Sequence, residues 1–244
     1  MNRVVTEIFE QRIVRDASGR EHPLESETPL SQCEFLQSII AEIGASKCLE
    51  VGLAYGVSSM FIGEAIKKKE DKRFIVVDPM QSDWHDIGLH NLVRSGYIEF
   101  VEFHRDFSFN VLPQLLQAGT EIDFAYIDTT KVFDWVLVDV FFVTRILRVG
   151  GVMVLDDCTW PGLRKLARFL SKLPHLTIHG RHFEYKNSIR KKLISTVSRH
   201  LPFSHRVLAP ETLITDEELG INARCIAFEK TNNDERNWDW SIDF

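Results

Sequence analysis

Two stretches of this 244-residue chain gather residue types able to do chemistry. In the first, Cys48-Leu-Glu-Val-Gly-Leu-Ala-Tyr-Gly-Val-Ser-Ser-Met60, Gly52 and Gly56 bracket a turn between an apolar run and a helical pattern. Glycine there lets backbone approach a ligand with no Cβ in the way, and the helix that follows offers unpaired N–H groups. The spacing is G-x-x-x-G, where a dinucleotide site would read G-x-G-x-x-G, so a nicotinamide cofactor loses ground. The next apolar run ends in Asp78, about the offset at which one carboxylate accepts hydrogen bonds from both hydroxyls of a ribose. Both features point to a single adenosine. The second stretch is charged: Tyr126-Ile-Asp-Thr-Thr-Lys131 and Val154-Leu-Asp-Asp-Cys158 each place acids directly after an apolar run. In an open α/β sheet ligands bind beyond the carboxyl ends of the strands, so Asp128, Lys131, Asp156 and Asp157 are expected to converge.

The elements that must position these groups follow from periodicity. Compact apolar runs at 47–51, 73–77, 98–103, 122–127 and 152–155 read as strands buried on both faces, with helical patterns between them. That alternation means βαβ units and a parallel sheet. One helix is expected over 131–148, with Arg145 and Arg148 in its last turns and Gly150-Gly151 as its stop. After Pro174 the pattern weakens, leaving short strands at 175–179 and 223–228. The expected plan is one domain: a helical lead-in over 1–45, a cofactor-binding core over 46–173, and C-terminal strands over 174–244 with a basic insertion and an aromatic tail.

Glu50-x-Gly52-x-x-x-Gly56 followed by a strand ending in Asp78 resembles the first two motifs of class I S-adenosylmethionine-dependent methyltransferases. The resemblance covers roughly 31–173 and implies a Rossmann-like α/β fold with a mostly parallel seven-stranded sheet and helices on both faces. It implies further that Glu50, Gly52, Tyr55, Gly56 and Ser58 line the methionine and ribose part of the cofactor, that Asp78 holds the ribose, and that Asp106, Phe107 and Ser108 flank the adenine. The stretch from Asp78-Pro-Met to Leu155-Asp-Asp looks like bacterial O-methyltransferase-like proteins, whose fourth-strand motif usually reads D-G-x-H. Here it is Asp128-Thr-Thr-Lys131, similar to catechol and caffeoyl-CoA O-methyltransferases. In those the Asp and a later D-N pair hold a divalent metal and the Lys serves as base. The resemblance thus implies Asp128 and Lys131 as catalytic residues and Asp128, Asp156 and Asp157 as ligands of Mg2+ or another divalent cation, with Asp157 standing where those families have Asn. Hard carboxylate oxygens suit such an ion.

Several of these residues also have plain structural readings. Ser58 and Ser59 suit helix capping, Phe107 suits the core, Asp156 and Asp157 suit the cap of a helix starting near Thr159, and Lys131 suits an exposed helix start. Asp83-Trp84-His85-Asp86 follows the ribose strand and either lies over the active site or, as an aromatic in such a loop more often does, packs locally, and His85, His90, His104 and His182 show no ligand spacing.

The formal charge of −6 argues against a general electrostatic grip on nucleic acid. The four cysteines form no C-x-x-C pair, which fits a reducing cytoplasm, and no run of signal-peptide or membrane-spanning length occurs, so no integral membrane role is expected. Seven cations against Glu184 between Arg181 and Arg206 read as a solvated face, an acidic-acceptor site or a contact for anionic lipid. The aromatic tail at 237–244 is a candidate cover for the acceptor pocket or for the interface of a homodimer. The leading expectation is methyl transfer to a hydroxyl of a small molecule. Methylation of nitrogen or of a protein, and a cofactor-binding domain without turnover, are the alternatives.

Overall fold

The computed structural model describes residues 2–186 and 214–242. Its elements run α1 (Arg3–Gln11), β1 (Ile13–Arg15), β2 (Glu21–Pro23), α2 (Leu30–Glu42), β3 (Lys47–Val51), α3 (Val57–Ile66), β4 (Arg73–Val77), α4 (Ile87–Arg94), β5 (Val101–His104), α5 (Ser108–Gln117), β6 (Ile122–Ile127), α6 (Phe133–Ile146), β7 (Leu147–Leu155), α7 (Pro161–Leu170), β8 (Leu176–Glu184) and β9 (Ala223–Lys230). Seven strands form one sheet in the order β5-β4-β3-β6-β7-β9-β8. The first five pair in parallel, and β9 runs antiparallel to both β7 and β8.

Alternation along the strands divides the core in two. Cys48, Phe74, Val76, Phe124 and Val154 face the helices α2 and α3, while Leu49, Ile75, Val77, Ala125 and Leu155 face α5, α6 and α7. Every one of these side chains is fully buried, which is why their runs are continuously apolar and contain no polar alternation. The expected α/β sheet of seven strands with helices on both faces is the one formed.

Three strands, 47–51, 73–77 and 122–127, begin and end where the sequence places them. Others differ for local reasons. Residues 98–100 form a 3-10 turn, so that strand starts at Val101. The helical lead-in over 1–45 is interrupted by the β1–β2 hairpin, whose turn is tied by Asp16 accepting from the backbone N–H groups of Ser18 and Arg20. The helix expected to run to Arg148 ends at Ile146, and Gly150-Gly151 lies inside β7 instead of stopping a helix. A Cβ at Gly151 would stand 2.8 Å from the Asp123 carbonyl oxygen, so glycine here permits the close approach of β6 at the point where its register shifts. Arg148 therefore does not serve a helix end: its Nε donates to Asp123 at 2.6 Å.

No helix among the described residues is long and apolar enough to cross a membrane. All four cysteines are buried and unpaired.

Candidate active site

β3 pairs with β4 on one side and β6 on the other, so the chain's crossovers leave in opposite directions and open a crevice at the strand ends. A cavity of about 670 Å³ occupies this crevice. Parallel strands deliver Gly52, Asp78, Asp128 and Asp157 to it from their carboxyl ends. Antiparallel β9 delivers Arg224 to the same edge from its amino end.

One end of the cavity is the glycine turn. Gly52 has a φ of 98°, and a Cβ there would lie 1.9 Å from the Asp128 carbonyl oxygen, so the close approach that demands glycine is between β3 and the chain leaving β6. Asp78 organises the turn. Its Oδ2 accepts from the N–H groups of Leu53 at 2.9 Å and Ala54 at 3.0 Å and from Gln81, and its Oδ1 accepts from Met80 N–H at 2.7 Å. Tyr55, Val57 and Ser58 line the wall, with Trp84 edge-on to Tyr55 at 4.9 Å. Trp84 thus both packs locally and faces the cavity. Phe107, Ser108 and Trp135 line the next portion, with the two rings 5.9 Å apart and perpendicular.

Some expected lining residues lie elsewhere. Glu50 is fully buried beneath the turn, where Ser58 and Ser59 hydrogen bond its carboxyl group, because its position in β3 turns it toward α3 and away from the crevice. Burial pushes it up to about 8, against the lowering pull of the two serines. The serines are spent on Glu50 and not on capping, since the N-cap of α3 is Gly56, with a positive φ of 73° and no side-chain cap. Gly56 itself faces α4. Asp106 turns its carboxylate to Phe107 N–H at 2.7 Å and to Asn110 at 2.9 Å, where it ties the start of α5 and does not line the cavity.

The other end is a cluster of charges. One carboxylate oxygen from each of Asp128, Asp156 and Asp157 falls within 4.8 Å of the others, so the sheet does bring the expected triad together. Neither Asp156 nor Asp157 caps α7, whose N-cap is Trp160. Asp157 holds a left-handed φ of 54°, a conformation that Asp tolerates and that functional turns often store. Asp156 is buried below the floor, and Asp128 and Asp157 are half-buried.

Each of the three carboxylates is already engaged by the chain. Asp128 accepts from Lys131 Nζ at 3.3 Å through Oδ1 and from the Tyr126 hydroxyl at 3.2 Å through Oδ2. Asp156 accepts from Asp157 N–H at 2.7 Å through Oδ1 and from Gln32 at 2.8 Å through Oδ2. Asp157 receives Arg224 Nε at 3.1 Å on Oδ1 and Lys131 Nζ on Oδ2. Arg224 also reaches Asp156 at 3.5 Å. Every oxygen of the triad therefore has a protein donor, and two of the donors, Lys131 and Arg224, are cations whose charge opposes entry of a divalent ion. As they stand, these residues do not fit one. Burial alone would lower Lys131, but Asp128 and Asp157 outweigh it and hold the amine above its ordinary value, so it is an ammonium at neutral pH. Burial, together with the charge of Asp156, raises Asp128 above the usual carboxylate range, with Lys131 opposing.

Five contributors escaped the sequence reading, one of them Trp135, which lines the cavity beside Phe107. Arg224, Gln32 and Tyr126 enter the charged network from distant elements. Asp139, on α6, lines the cavity with 1% exposure, its Oδ1 has no hydrogen-bond partner among the described residues, and burial pushes it up to about 6 against a hydrogen bond from Ser108. Spacing carried a signal only for Asp139, the one acid beyond the first turn of the apolar helix Phe133–Ile146.

The remaining expected features stand apart. In the basic stretch, Arg181 is engaged by Asn222 at 3.2 Å and Glu184 at 3.7 Å, and residues 190–206 lie outside the described ones. In the tail, Trp240 packs beneath Arg236 and against the α5–α7 side of the core while Trp238 is exposed, and neither is a lining residue of the cavity. Phe244 lies outside the described residues. His85 stacks on His22 and His104 bonds Glu102, both away from the triad.

Residues 49–158 match the model of a family described as a methyltransferase domain. The chain is 28% identical over 138 residues to tapetum-specific methyltransferase 1 of Arabidopsis thaliana, covering 55% of this chain and 56% of that one. It is 26% identical over 154 residues to caffeoyl-CoA O-methyltransferase 2 of Petunia hybrida, covering 58% and 62%. The matches thus span less than two thirds of these relatives' lengths. Among solved structures, the O-methyltransferase of Bacillus cereus in complex with SAH superposes with a TM-score of 0.60 at 19% identity, over 73% of this chain and 83% of that one. Motifs, sheet order and relatives agree: residues 49–158 are similar to a methyltransferase domain, and the chain has the mostly parallel, Rossmann-like α/β fold of its solved neighbours.

Proposed function

We propose that the chain is an S-adenosylmethionine-dependent methyltransferase acting on a hydroxyl of a small molecule. The observation that carries this reading is one cavity with two chemically different ends, a backbone-rich turn with aromatic walls and a charged cluster. Its volume lies within the roughly 300–1,000 Å³ of small-molecule sites.

In this reading the turn after β3 takes the methionine and ribose of the cofactor, and Asp78 offers its less engaged Oδ1 to a ribose hydroxyl. Phe107 and Trp135 pack on the adenine, and the unpartnered oxygen of Asp139 accepts from its amino group. The sulfonium methyl then points toward Asp128. The acceptor oxygen attacks that methyl in line, the carbon–sulfur bond breaks with its electron pair staying on sulfur, and the hydroxyl proton passes to Asp128. The raised affinity of Asp128 for a proton suits it to that task near neutral pH. Lys131, already an ammonium, steadies the oxygen's growing negative charge and holds Asp128 in place. Most of the acceleration is alignment of the two reactants.

Calorimetric titration of S-adenosylhomocysteine into the protein and into Asp78→Ala tests the cofactor half. Binding to the wild type and loss in the variant are expected, and no binding to either would sink the reading. Methylation of a panel of hydroxyl compounds, followed by mass, tests the acceptor half.

A further inference from the structure

The charged end of the cavity resembles a cation site that carries its own cations. Three carboxylates would repel one another if left alone, and a divalent ion is one way to hold them together. Here Lys131 bridges Asp128 and Asp157, while Arg224 bridges Asp157 and Asp156. The two bridges share Asp157, whose left-handed backbone turns one oxygen to each cation. Below them, Gln32 and the Tyr126 hydroxyl both contact Oδ2 of the buried Asp156, at 2.8 and 3.1 Å. A cation entering this cluster would meet the positive charges of both Lys131 and Arg224, which already balance the carboxylates.

We propose that Lys131 and Arg224 together replace the divalent cation in this chain, with Arg224 as the positioning residue that makes the site independent of metal. The argument rests on engaged oxygens and on where β9 delivers its arginine. It stands apart from the cofactor reading, although its use in turnover rests on that reading. It also sets the class of acceptor. A divalent ion selects substrates that chelate it through two neighbouring oxygens, whereas an Asp–Lys pair needs a single hydroxyl.

The test is calorimetric titration of Mn2+, with melting curves in Mg2+, Mn2+ and EDTA, on the wild type, Arg224→Met and Lys131→Met. The wild type is expected to take up no Mn2+ and to melt at the same temperature in EDTA and in Mg2+. Arg224→Met is expected to gain one Mn2+ site and a rise in melting temperature of about 5–10 °C at roughly a hundredfold excess over its dissociation constant. That gain should vanish in the double variant with Asp157→Ala, which removes one of the three ligand oxygens. Stoichiometric Mn2+ binding by the wild type would overturn the proposal, as would failure of both single variants to gain a site while still melting cooperatively. S-adenosylhomocysteine titrated beside these samples keeps the two readings separate. Its failure to bind would remove the proposed function and leave the metal result standing, whereas binding that depends on EDTA-sensitive metal would count against the inference alone.

Discussion

The two ends of the cavity are built by different means. The glycine-turn end is local and made largely of backbone: a single turn after β3, fixed by one carboxylate at the end of the neighbouring strand β4, presents its wall through Gly52, Leu53, Ala54 and Tyr55. The charged end is assembled from α2, β6, the turn after β7, and β9, with partners as far apart as Gln32 and Asp156. A local, backbone-built site tolerates change in its surroundings and serves any reaction of one cofactor. A long-range cluster of side chains can be altered one residue at a time, which is where acceptor choice and metal need are free to vary on a common scaffold.

Variants that separate the ends sharpen this contrast. The largest effect is expected from Asp128→Asn, which should lower kcat by about 10²–10⁴-fold through loss of proton acceptance while leaving S-adenosylhomocysteine affinity nearly unchanged. Calorimetry beside turnover would show it, and a parallel loss of cofactor binding would mean the ends are not separable. Asp78→Ala leaves four donors without their acceptor. It should weaken cofactor binding by about 100-fold or more, at a cost per charged hydrogen bond of about 1.5–3 kcal/mol.

Glu50 tests what lies beneath the turn. Its folded value near 8 stands above the ordinary 4.5, so the folded state binds the extra proton between those values. The stability it contributes is complete below about pH 4.5 and is lost as pH rises through about 8. Glu50→Gln should flatten that decline and be the more stable protein at alkaline pH, and unchanged pH profiles of chemical denaturation would remove the assignment. Smallest of all, Trp135→Ala should weaken cofactor affinity about tenfold or less, as expected for one aromatic contact of about 0.5–1.5 kcal/mol. An unchanged affinity would move the adenine away from this wall.

The sequence was informative where physics is local. Strands such as Phe74-Ile-Val-Val77 are apolar because both faces are covered, so their limits can be read from the run itself. The glycine turn, Asp78 and the convergence of Asp128, Asp156 and Asp157 were legible because strand ends share one edge. Gly150-Gly151 misled because glycine ends helices and also admits close strand approach, and only the neighbouring strand decides between them. Glu50 misled because a motif gives its neighbourhood but not which way a β3 side chain points. Arg224 had no local signal, since its meaning depends on a strand that inserts between two others.

That insertion gives the molecule an order of completion. Arg224 lies 67 residues beyond the Asp157 it neutralises, and a pairing of such separation forms late relative to local ones. During synthesis the parallel strands can associate while the acidic floor has only Lys131 to counter it. The charge balance closes when β9 takes its place between β7 and β8, so a nascent or clipped chain lacking that strand would keep its glycine turn and still present an unbalanced acidic floor. The final strand thus acts as an electrostatic keystone, and readiness for chemistry becomes a report that the sheet is whole.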